Sequence, residues 1–190
     1  MNDKATYKSM ETAVPEDWAI MSSYRAKNRS ALPDEVFALL TRLQSKEDGS
    51  PISGYDHSLQ SATLAFNDGA DDETVFIALL HDIGQVLSVD IHSEVAASIL
   101  RPYISEKNHW IVKHHAEFQG FYFWQHMGRD QFAREQYKDH PYYQDCIDWC
   151  HKYDQCAFDP DYENKPLSFF EPMVRRIMAR EPWSALEAVA

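Results

Sequence analysis

Cysteine is scarce in this chain, and its few thiols are poorly spaced for disulfides or thiolate metal sites. The 190 residues include three cysteines, Cys146, Cys150 and Cys156, all late in the sequence. An odd number without CxxC spacing excludes a disulfide scaffold and gives no support to a structural zinc site. We therefore interpret all three as reduced thiols.

Positive charge and long apolar runs are also in short supply. The 18 lysines and arginines face 30 acidic residues, for a net charge of −12. Nucleic acids and anionic membranes need a basic protein face, so neither is an expected partner. The start, MNDKATYKSMETAVPEDW, has no signal-peptide core, and no apolar run approaches the roughly 20 residues of a membrane span. We expect a cytoplasmic protein. A small anionic ligand is compatible with the negative net charge, because a bound metal pair would reverse the local electrostatic potential.

The pattern of apolar residues predicts helices. Glycine is scarce, valine and isoleucine form no alternating run, and apolar residues recur at spacings of three and four. Pro15 and Pro33 are each expected to begin a helix, and residues 49–54 are expected to form a break. Further helices are expected over residues 56–68, 72–86, 92–103, 105–117, 126–138, 141–155 and 168–180. We predict an all-α protein, divided into an N-terminal extension (1–35) and one helical metal-binding domain (36–190).

A His-Asp pair stands at the end of the most apolar predicted helix. The segment VFIALLHDIG carries an unbroken apolar run directly before His81 and Asp82. Burial of a carboxylate without a partner is costly, so a metal ion or a cationic group is expected beside Asp82. Taken alone the pair is a weak signal, because adjacent histidine and aspartate also arise by chance.

Other residues of ligand type lie in helical segments with apolar neighbours. They are His57, His92, His115 and Asp154, with His114 as the competitor of His115. Together with the His-Asp pair they supply four imidazoles and two carboxylates, a donor set that suits two metals such as iron or manganese. A carboxylate beside a histidine can bridge two ions, which is the role expected of Asp82.

The order H…HD…H…H…D, with ALLHDIG at its centre, resembles the HD superfamily over roughly residues 52–160. Most members are metal-dependent phosphohydrolases, and a smaller branch comprises mixed-valence diiron oxygenases. That branch includes myo-inositol oxygenase and organophosphonate oxygenases that cleave carbon–phosphorus bonds. Three features favour the oxygenase branch: the segment H-x-x-Q-x-A at His57, Gln60 and Ala62, a fourth histidine at His92, and the ending Tyr153-Asp154.

The resemblance implies an all-α HD-domain helical bundle with an N-terminal helical extension, holding two iron ions as an Fe(II)/Fe(III) pair. By it, one iron is held by His57, His81, Asp82 and Asp154, with Asp82 also catalytic, and the other by His92 and His115. His115 fits the family spacing better than His114. The implied reaction uses dioxygen to oxidise a 1-hydroxyphosphonate to a carboxylic acid and inorganic phosphate.

The alternatives are a phosphohydrolase acting on a small phosphoester or nucleotide, and a non-catalytic HD module. HD hydrolases often place a lysine just after the HD pair, where this chain has Ile83, Gly84 and Gln85. The discriminating observations are iron content with an oxygen requirement for the oxygenase, phosphoester cleavage without oxygen for the hydrolase, and no tight metal for the module.

The substrate contacts are read from the same resemblance. The segment EDGSPISGYD (residues 47–56) replaces the family's tyrosine-containing segment upstream of the first ligand, so Tyr24 is expected to close the site as a catalytic residue. Gln85 and Gln119 stand where relatives that act on a small amino-phosphonate have a histidine and a lysine. The other expected substrate-binding residues are Gln60, Phe118, Tyr122, Trp124, Lys113 and Arg129, with Arg134 as a further cation for the phosphonate.

The aromatic run at residues 118–124 favours a quaternary ammonium substrate, because aromatic faces attract such cations. A candidate is (R)-1-hydroxy-2-(trimethylammonio)ethylphosphonate, which would yield glycine betaine and phosphate. The competing interpretation is that these aromatic side chains are core residues.

Overall fold

Helices form the regular structure of the chain. The computed structural model describes residues 4–45 and 49–184, and no strand occurs within these ranges. The α-helices in this part of the chain are α1 Pro15–Arg42, α2 Gly54–Asn67, α3 Asp72–Leu80, α4 His92–Leu100, α5 Glu106–Gln119, α6 Tyr143–Trp149 and α7 Leu167–Met178. The all-α prediction is confirmed. Among the described helices, none is both long enough and apolar enough to cross a membrane.

Side-chain caps fix the start of three helices. Each cap accepts a hydrogen bond from a backbone N–H inside the first turn: Ser53 from Asp56 in α2, Asp71 from Thr74 in α3, and Ser105 from Asn108 in α5. Each such bond satisfies a donor that the helix itself leaves unpaired and is worth about 1 kcal/mol. The caps therefore place α2, α3 and α5 at defined residues, and these helices carry or precede most of the candidate ligands.

The central helix of the bundle is α3. The residues from Val75 to Leu80 are all buried, as their unbroken apolar run predicts. α3 packs against α2, α5 and α7. A helix without a polar face belongs in the core, so the chain that continues from α3 carries His81 and Asp82 into the interior.

The prediction that Pro33 begins a second helix is wrong. One helix runs from Pro15 to Arg42 with Pro33 inside it. Proline cannot donate a hydrogen bond to the carbonyl four residues earlier, here that of Arg29. Because Arg29 is exposed, solvent can satisfy that carbonyl, and burial of the residues after Pro33 holds the helix together.

The proposed division at residue 35 stays a prediction. α1 crosses it without a break; its buried residues Val36, Phe37 and Leu40 lie after the division, and Asp17 and Pro33 lie before it. The outer ends of both proposed segments, residues 1–3 and 185–190, lie outside the described residues.

Several predicted helices differ from the structure in length or type. The segment 72–86 is α-helical only to Leu80 and continues as the 3-10 helix Ile83–Val86. In place of a helix over 126–138 there are two 3-10 helices, Trp124–Met127 and Ala133–Tyr137, and the segment 141–155 divides into α6 and the π-helix Cys150–Asp154. Gly128 separates the two 3-10 helices with a φ of 70°, a left-handed conformation that ends helices and that glycine adopts without strain.

The connection between α3 and α4 passes close to the start of α4 at Gly84, and we expect that only glycine fits there. A Cβ atom at Gly84 would overlap the backbone carbonyl of His92, a rigid group that cannot rotate away. We expect Gly84→Ala to destabilise the fold by about 1–3 kcal/mol, the usual range for overpacking, in denaturant unfolding. The matched control is Gly54→Ala, whose Cβ would meet only the Leu43 side chain at 3.4 Å. Equal stability of the two variants would contradict the account.

Candidate metal centre

The predicted ligands converge from different parts of the bundle. The four imidazoles come from α2, the end of α3, the start of α4 and α5, and the carboxylates follow α3 and end the π-helix. All but His92 are buried, with 6% or less of the residue exposed: His57, His81, Asp82, His115 and Asp154. The His92 side chain is 18% exposed and contacts Asp82. The bundle thus gathers six residues that are up to 97 positions apart in sequence.

Each imidazole is oriented in the same way. Its Nδ1 atom lies at hydrogen-bond distance from a backbone carbonyl: His57 from Ala157 (2.9 Å), His81 from Ala78 (2.9 Å), His92 from Val89 (2.8 Å) and His115 from Val112 (2.7 Å). A carbonyl only accepts, so Nδ1 donates in all four cases, and in a neutral ring Nε2 keeps its lone pair. Metal-binding histidines commonly have this arrangement, since the carbonyl fixes both tautomer and ring direction.

The first group of ligand atoms surrounds Asp154. The Nε2 atoms of His57 and His81 are 3.1 Å apart. Asp154 Oδ1 lies 3.3 Å from the Nε2 of His57 and 3.7 Å from that of His81. Two imidazole nitrogens and a carboxylate oxygen therefore lie close enough together to bind one ion.

The second group of ligand atoms surrounds Asp82. Its Oδ1 lies 3.3 Å from His115 Nε2 and 3.4 Å from His92 Nε2. Its Oδ2 lies 3.6 Å from His81 Nε2 and 3.8 Å from His57 Nε2. The two oxygens of one carboxylate thus face two different pairs of imidazoles, which is the arrangement of a bridging ligand.

A metal ion fits these residues better than hydrogen bonds alone. The contact between His57 and His81 joins two nitrogens whose lone pairs repel unless a proton or cation lies between them. In addition, Asp154 Oδ2 is buried and has no hydrogen-bond partner, a costly condition for a carboxylate oxygen. Nitrogen and oxygen donors without thiolate suit iron or manganese. The residues present therefore fit a metal centre.

The pKa shifts show how strongly the two carboxylates act on the imidazoles. Burial alone would lower the pKa of His57, but the hydrogen bond to Asp154 and the charges of Asp154 and Asp82 raise it to about 9. For His81, burial dominates and lowers the pKa to about 4. In the absence of metal, His57 therefore carries a proton at neutral pH while the adjacent His81 stays neutral.

Of the two adjacent histidines on α5, the structure places His115 in the cluster. Its neighbour His114 packs against the Trp110 ring, with centroids 4.5 Å apart, and against Tyr137 at 4.7 Å. Successive residues of a helix point about 100° apart, so the two cannot share one site.

The π-helix orients Asp154, the candidate ligand that comes last in the sequence. It spans Cys150–Asp154 and continues directly from α6. Such widened turns occur often at functional sites. Asp154 Oδ1 accepts a 2.6 Å hydrogen bond from the Gln119 amide, and Tyr153 donates to Asp68 at 2.6 Å. The first bond holds the Asp154 carboxylate directly, and the second fixes the π-helix to the end of α2.

A cavity of about 390 Å³ opens on the cluster. Its walls contain His57 and Asp82 of the cluster and three of the predicted substrate contacts, Gln85, Gln119 and Tyr122. Phe123, from the predicted aromatic run, is also in the wall.

Sequence reasoning missed the remaining lining residues, Ser50, Ile52, Gly54, Gln155 and Phe158. The first three belong to the segment 47–56, whose residues 47 and 48 lie outside the described residues, so the segment that departs from the family pattern forms part of the wall. Phe158 stacks on the His57 ring with centroids 4.6 Å apart. Its position four residues after Asp154 was the available signal.

Two predicted substrate contacts have structural roles instead. The Gln60 amide donates to the Asp159 carbonyl at 2.8 Å and accepts from the Asp159 N–H at 3.0 Å. It thereby fixes the loop whose Ala157 carbonyl orients His57. Phe118 is fully buried among Trp110, Tyr137 and Tyr143, so for this residue the core interpretation is the correct one.

The other predicted contacts do not line the cavity. Arg129 stacks on Trp124, its guanidinium carbon 3.6 Å from the ring centroid, so these two residues engage each other. Lys113 is exposed on α5. Tyr24 is 47% exposed in a separate groove between α1 and the N-terminal segment. Closure of the site by Tyr24 of the same chain is therefore not supported.

Metal affinity should rise with pH up to about 9, because a metal ion must displace the proton that Asp154 and Asp82 stabilise on His57. Below that pH, each unit should strengthen binding by about tenfold from this group alone. Competition with a coloured chelator across the pH range measures the effect. A His57→Ala variant should lose this pH dependence along with much of its affinity. An affinity that is constant between about pH 7 and 9 would show that no such proton is displaced.

Comparison with known proteins agrees with this geometry. No curated protein matches the chain. The sequence pattern described as "HD domain" matches residues 54–151, which is more than half of the chain and includes every candidate ligand except Asp154. With its all-helical fold and its buried histidines and aspartates that could bind metal, the chain belongs to the HD domain family.

Proposed function

We propose that the protein is an Fe(II)/Fe(III) oxygenase that cleaves the carbon–phosphorus bond of a 1-hydroxyphosphonate. The observation that carries the proposal is the division of the Asp82 carboxylate between two pairs of imidazoles, at 3.3 and 3.4 Å on one side and 3.6 and 3.8 Å on the other. A carboxylate in that position is placed to serve two ions rather than one.

In this proposal each ion has its own set of residues. His57, His81 and Asp154 would hold the first ion, His92 and His115 would hold the second, and Asp82 would bridge them. When bound, the metal pair would transfer electrons from the substrate to dioxygen and would supply a Lewis-acid site for the oxygens of the substrate. The Cys150 thiol is buried nearby, where it donates a hydrogen bond to the His115 backbone carbonyl at 3.7 Å, and burial raises its pKa well above the usual value.

The overall reaction balances without any further reductant. A 1-hydroxyphosphonate, R–CH(OH)–PO3H2, and O2 give R–COOH and phosphoric acid. The C1–H and C1–P bonds break, C1 gains an oxygen, and the phosphonate phosphorus leaves as phosphate. The substrate supplies the electrons that reduce dioxygen, so the chain needs no flavin or nicotinamide site.

The cavity wall supports a substrate with a cationic group distant from the phosphonate. Tyr122, Phe123 and Phe158 contribute three aromatic rings to it. Aromatic faces attract quaternary ammonium groups by about 0.5–2 kcal/mol each, depending on desolvation. This supports (R)-1-hydroxy-2-(trimethylammonio)ethylphosphonate as the substrate, with glycine betaine and phosphate as products.

Residues of this chain would also protect the centre from water. Phe158 covers one face of the His57 ring, and Trp149 packs against His81 and His115 with centroids 5.3 and 6.3 Å away. Gln119 already donates to Asp154, which orients its amide carbonyl for a hydroxyl donor from the substrate. Aromatic cover over the ligand rings favours chelation of the substrate over attack by free water.

Phosphoester hydrolysis is the second candidate, because a pair of metal ions can also activate water and HD-domain membership fits it equally well. Against it, HD hydrolases often place a lysine just after the HD pair, where this chain has Ile83, Gly84 and Gln85.

The metal content of variants should distinguish a site for one ion from a site for two. The wild-type chain should bind two irons, His92→Ala about one, and His81→Ala or Asp82→Ala none tightly. His92 contacts only the Asp82 Oδ1 side, whereas the His81 ligand atom lies within 4.8 Å of those of both His57–Asp154 and Asp82–His115. Asp82 faces both pairs of imidazoles. The matched control is His114→Ala, which should keep two. Metal analysis after desalting gives the counts. If wild type and His92→Ala bind the same single ion, the dinuclear assignment is excluded.

The reaction class should appear in a panel of phosphonates. Partially reduced protein should show a mixed-valence paramagnetic signal, and 1-hydroxyphosphonates should consume one O2 for each phosphate released, fastest for the trimethylammonio compound. A Phe158→Ala variant should lose more catalytic efficiency on that compound than on an uncharged analogue. Phosphoester cleavage under argon, with no oxygen uptake on any phosphonate, would instead support the hydrolase.

A further inference from the structure

Arg134 is a buried cation with no close carboxylate among the described residues, and its polar side-chain neighbours include the hydroxyls of Tyr122 and Tyr143. It lies in the 3-10 helix Ala133–Tyr137, and the residue is only 8% exposed. Its Nε and Nη1 atoms are buried and make no hydrogen bond. The nearest carboxylate is that of Glu135, 3.8 Å from Nε, half-exposed and already accepting a hydrogen bond from Tyr143 at 2.7 Å.

Such an arrangement is unfavourable unless an anion completes it. Removal of a guanidinium from water is expensive, and a distant, solvated carboxylate returns little of that cost. The Phe121 ring, 3.6 Å from the guanidinium carbon, stabilises the charge only partly. Arginine presents its N–H groups in a planar fork that matches two oxygens of a phosphonate or carboxylate.

Arg134 lies directly behind the wall of the metal cavity. Phe121 and Tyr122 are consecutive, and Arg134 stacks on the first while Tyr122 lines the cavity. Burial raises the pKa of Tyr122, and both the charge of Arg134 and a hydrogen bond with it oppose that rise, so the Tyr122 hydroxyl lies against the guanidinium. The Tyr122 hydroxyl lies 3.2 Å from His151 Nδ1 and also against Arg134, so Tyr122 connects the cavity wall to the guanidinium.

We propose that Arg134 forms an oxyanion subsite that adjoins the metal cavity and is gated by Tyr122. The ligand class is a tetrahedral phosphorus oxyanion, supplied either as the phosphonate group of the substrate or as the phosphate product. This inference rests on the proposed function only for the identity of the ligand. The subsite provides the cation that the described wall of the cavity lacks.

Calorimetric titration of the full-length, metal-loaded protein under argon tests the subsite with methylphosphonate and, separately, inorganic phosphate. Arg134→Gln should weaken methylphosphonate binding by about tenfold or more, and Arg134→Lys by less. The matched control is Arg129→Gln, since Arg129 also stacks on an aromatic ring at 3.6 Å but is exposed and outside the cavity; it should bind as wild type. Tetramethylammonium affinity should be the same in Arg134→Gln and wild type, which excludes general damage to the site.

The proposed gating of the subsite by Tyr122 makes a second, independent prediction. His151→Ala frees the Tyr122 hydroxyl and should bind methylphosphonate faster and at least as tightly as wild type. If Arg134→Gln fails to fold, Arg134→Lys and His151→Ala still decide the question. The proposal is overturned if folded Arg134 variants bind both anions like wild type, or if His151→Ala changes neither rate nor affinity. Binding of phosphate but not methylphosphonate would assign the subsite to the product.

The proposal and the proposed function can fail separately. Anion binding that depends on Arg134, without oxygen uptake on any phosphonate, would keep the subsite and reject the oxygenase. Oxygen uptake with an unchanged KM in Arg134→Gln would do the reverse.

Discussion

The centre depends on one interaction that is repeated four times, the hydrogen bond from imidazole Nδ1 to a backbone carbonyl. In three cases the carbonyl lies three residues earlier in the chain, so local structure alone turns His81, His92 and His115. The fourth, from His57 to Ala157, spans 100 residues and ties α2 to the loop after the π-helix. Because every Nδ1 atom donates to a carbonyl, every Nε2 atom is left to face the buried cluster. There the Nε2 atoms can bind a cation together with the carboxylates of Asp82 and Asp154.

The rest of the fold supplies what these bonds require. The apolar α3 makes burial of Asp82 possible, at a cost of several kcal/mol that only a charged partner or a metal offsets. Gly84 lets the connection after α3 approach the start of α4, which sets the position of His92. Gln60 holds the loop that carries Ala157 by two bonds to Asp159. Residues far from the cavity thus determine the geometry of the ligands.

Apolar spacing was enough to predict the helical class, and the family resemblance completed the ligand cluster, but neither predicted the full wall of the cavity. His81 and Asp82 could be predicted as buried ligands because they end an apolar run. His115 was preferred over His114 because its spacing fits the pattern of the family. In contrast, the cavity wall comes from loops such as residues 49–54 and from Phe158, whose positions depend on tertiary contacts. Gln60 and Phe118 were assigned to substrate because a sequence does not record which way a side chain turns. The continuity of α1 through Pro33 depends on the exposure of one carbonyl, which a sequence also does not record.

The central claim is that Asp82 joins two metal ions in one buried cluster. Anomalous diffraction at the iron absorption edge, from crystals of the iron-loaded protein, locates each ion directly. The account predicts two peaks, one on the side of His57, His81 and Asp154 and one on the side of His92 and His115, with the Asp82 carboxylate between them. A single peak, or two peaks with Asp82 bound to neither, would contradict it.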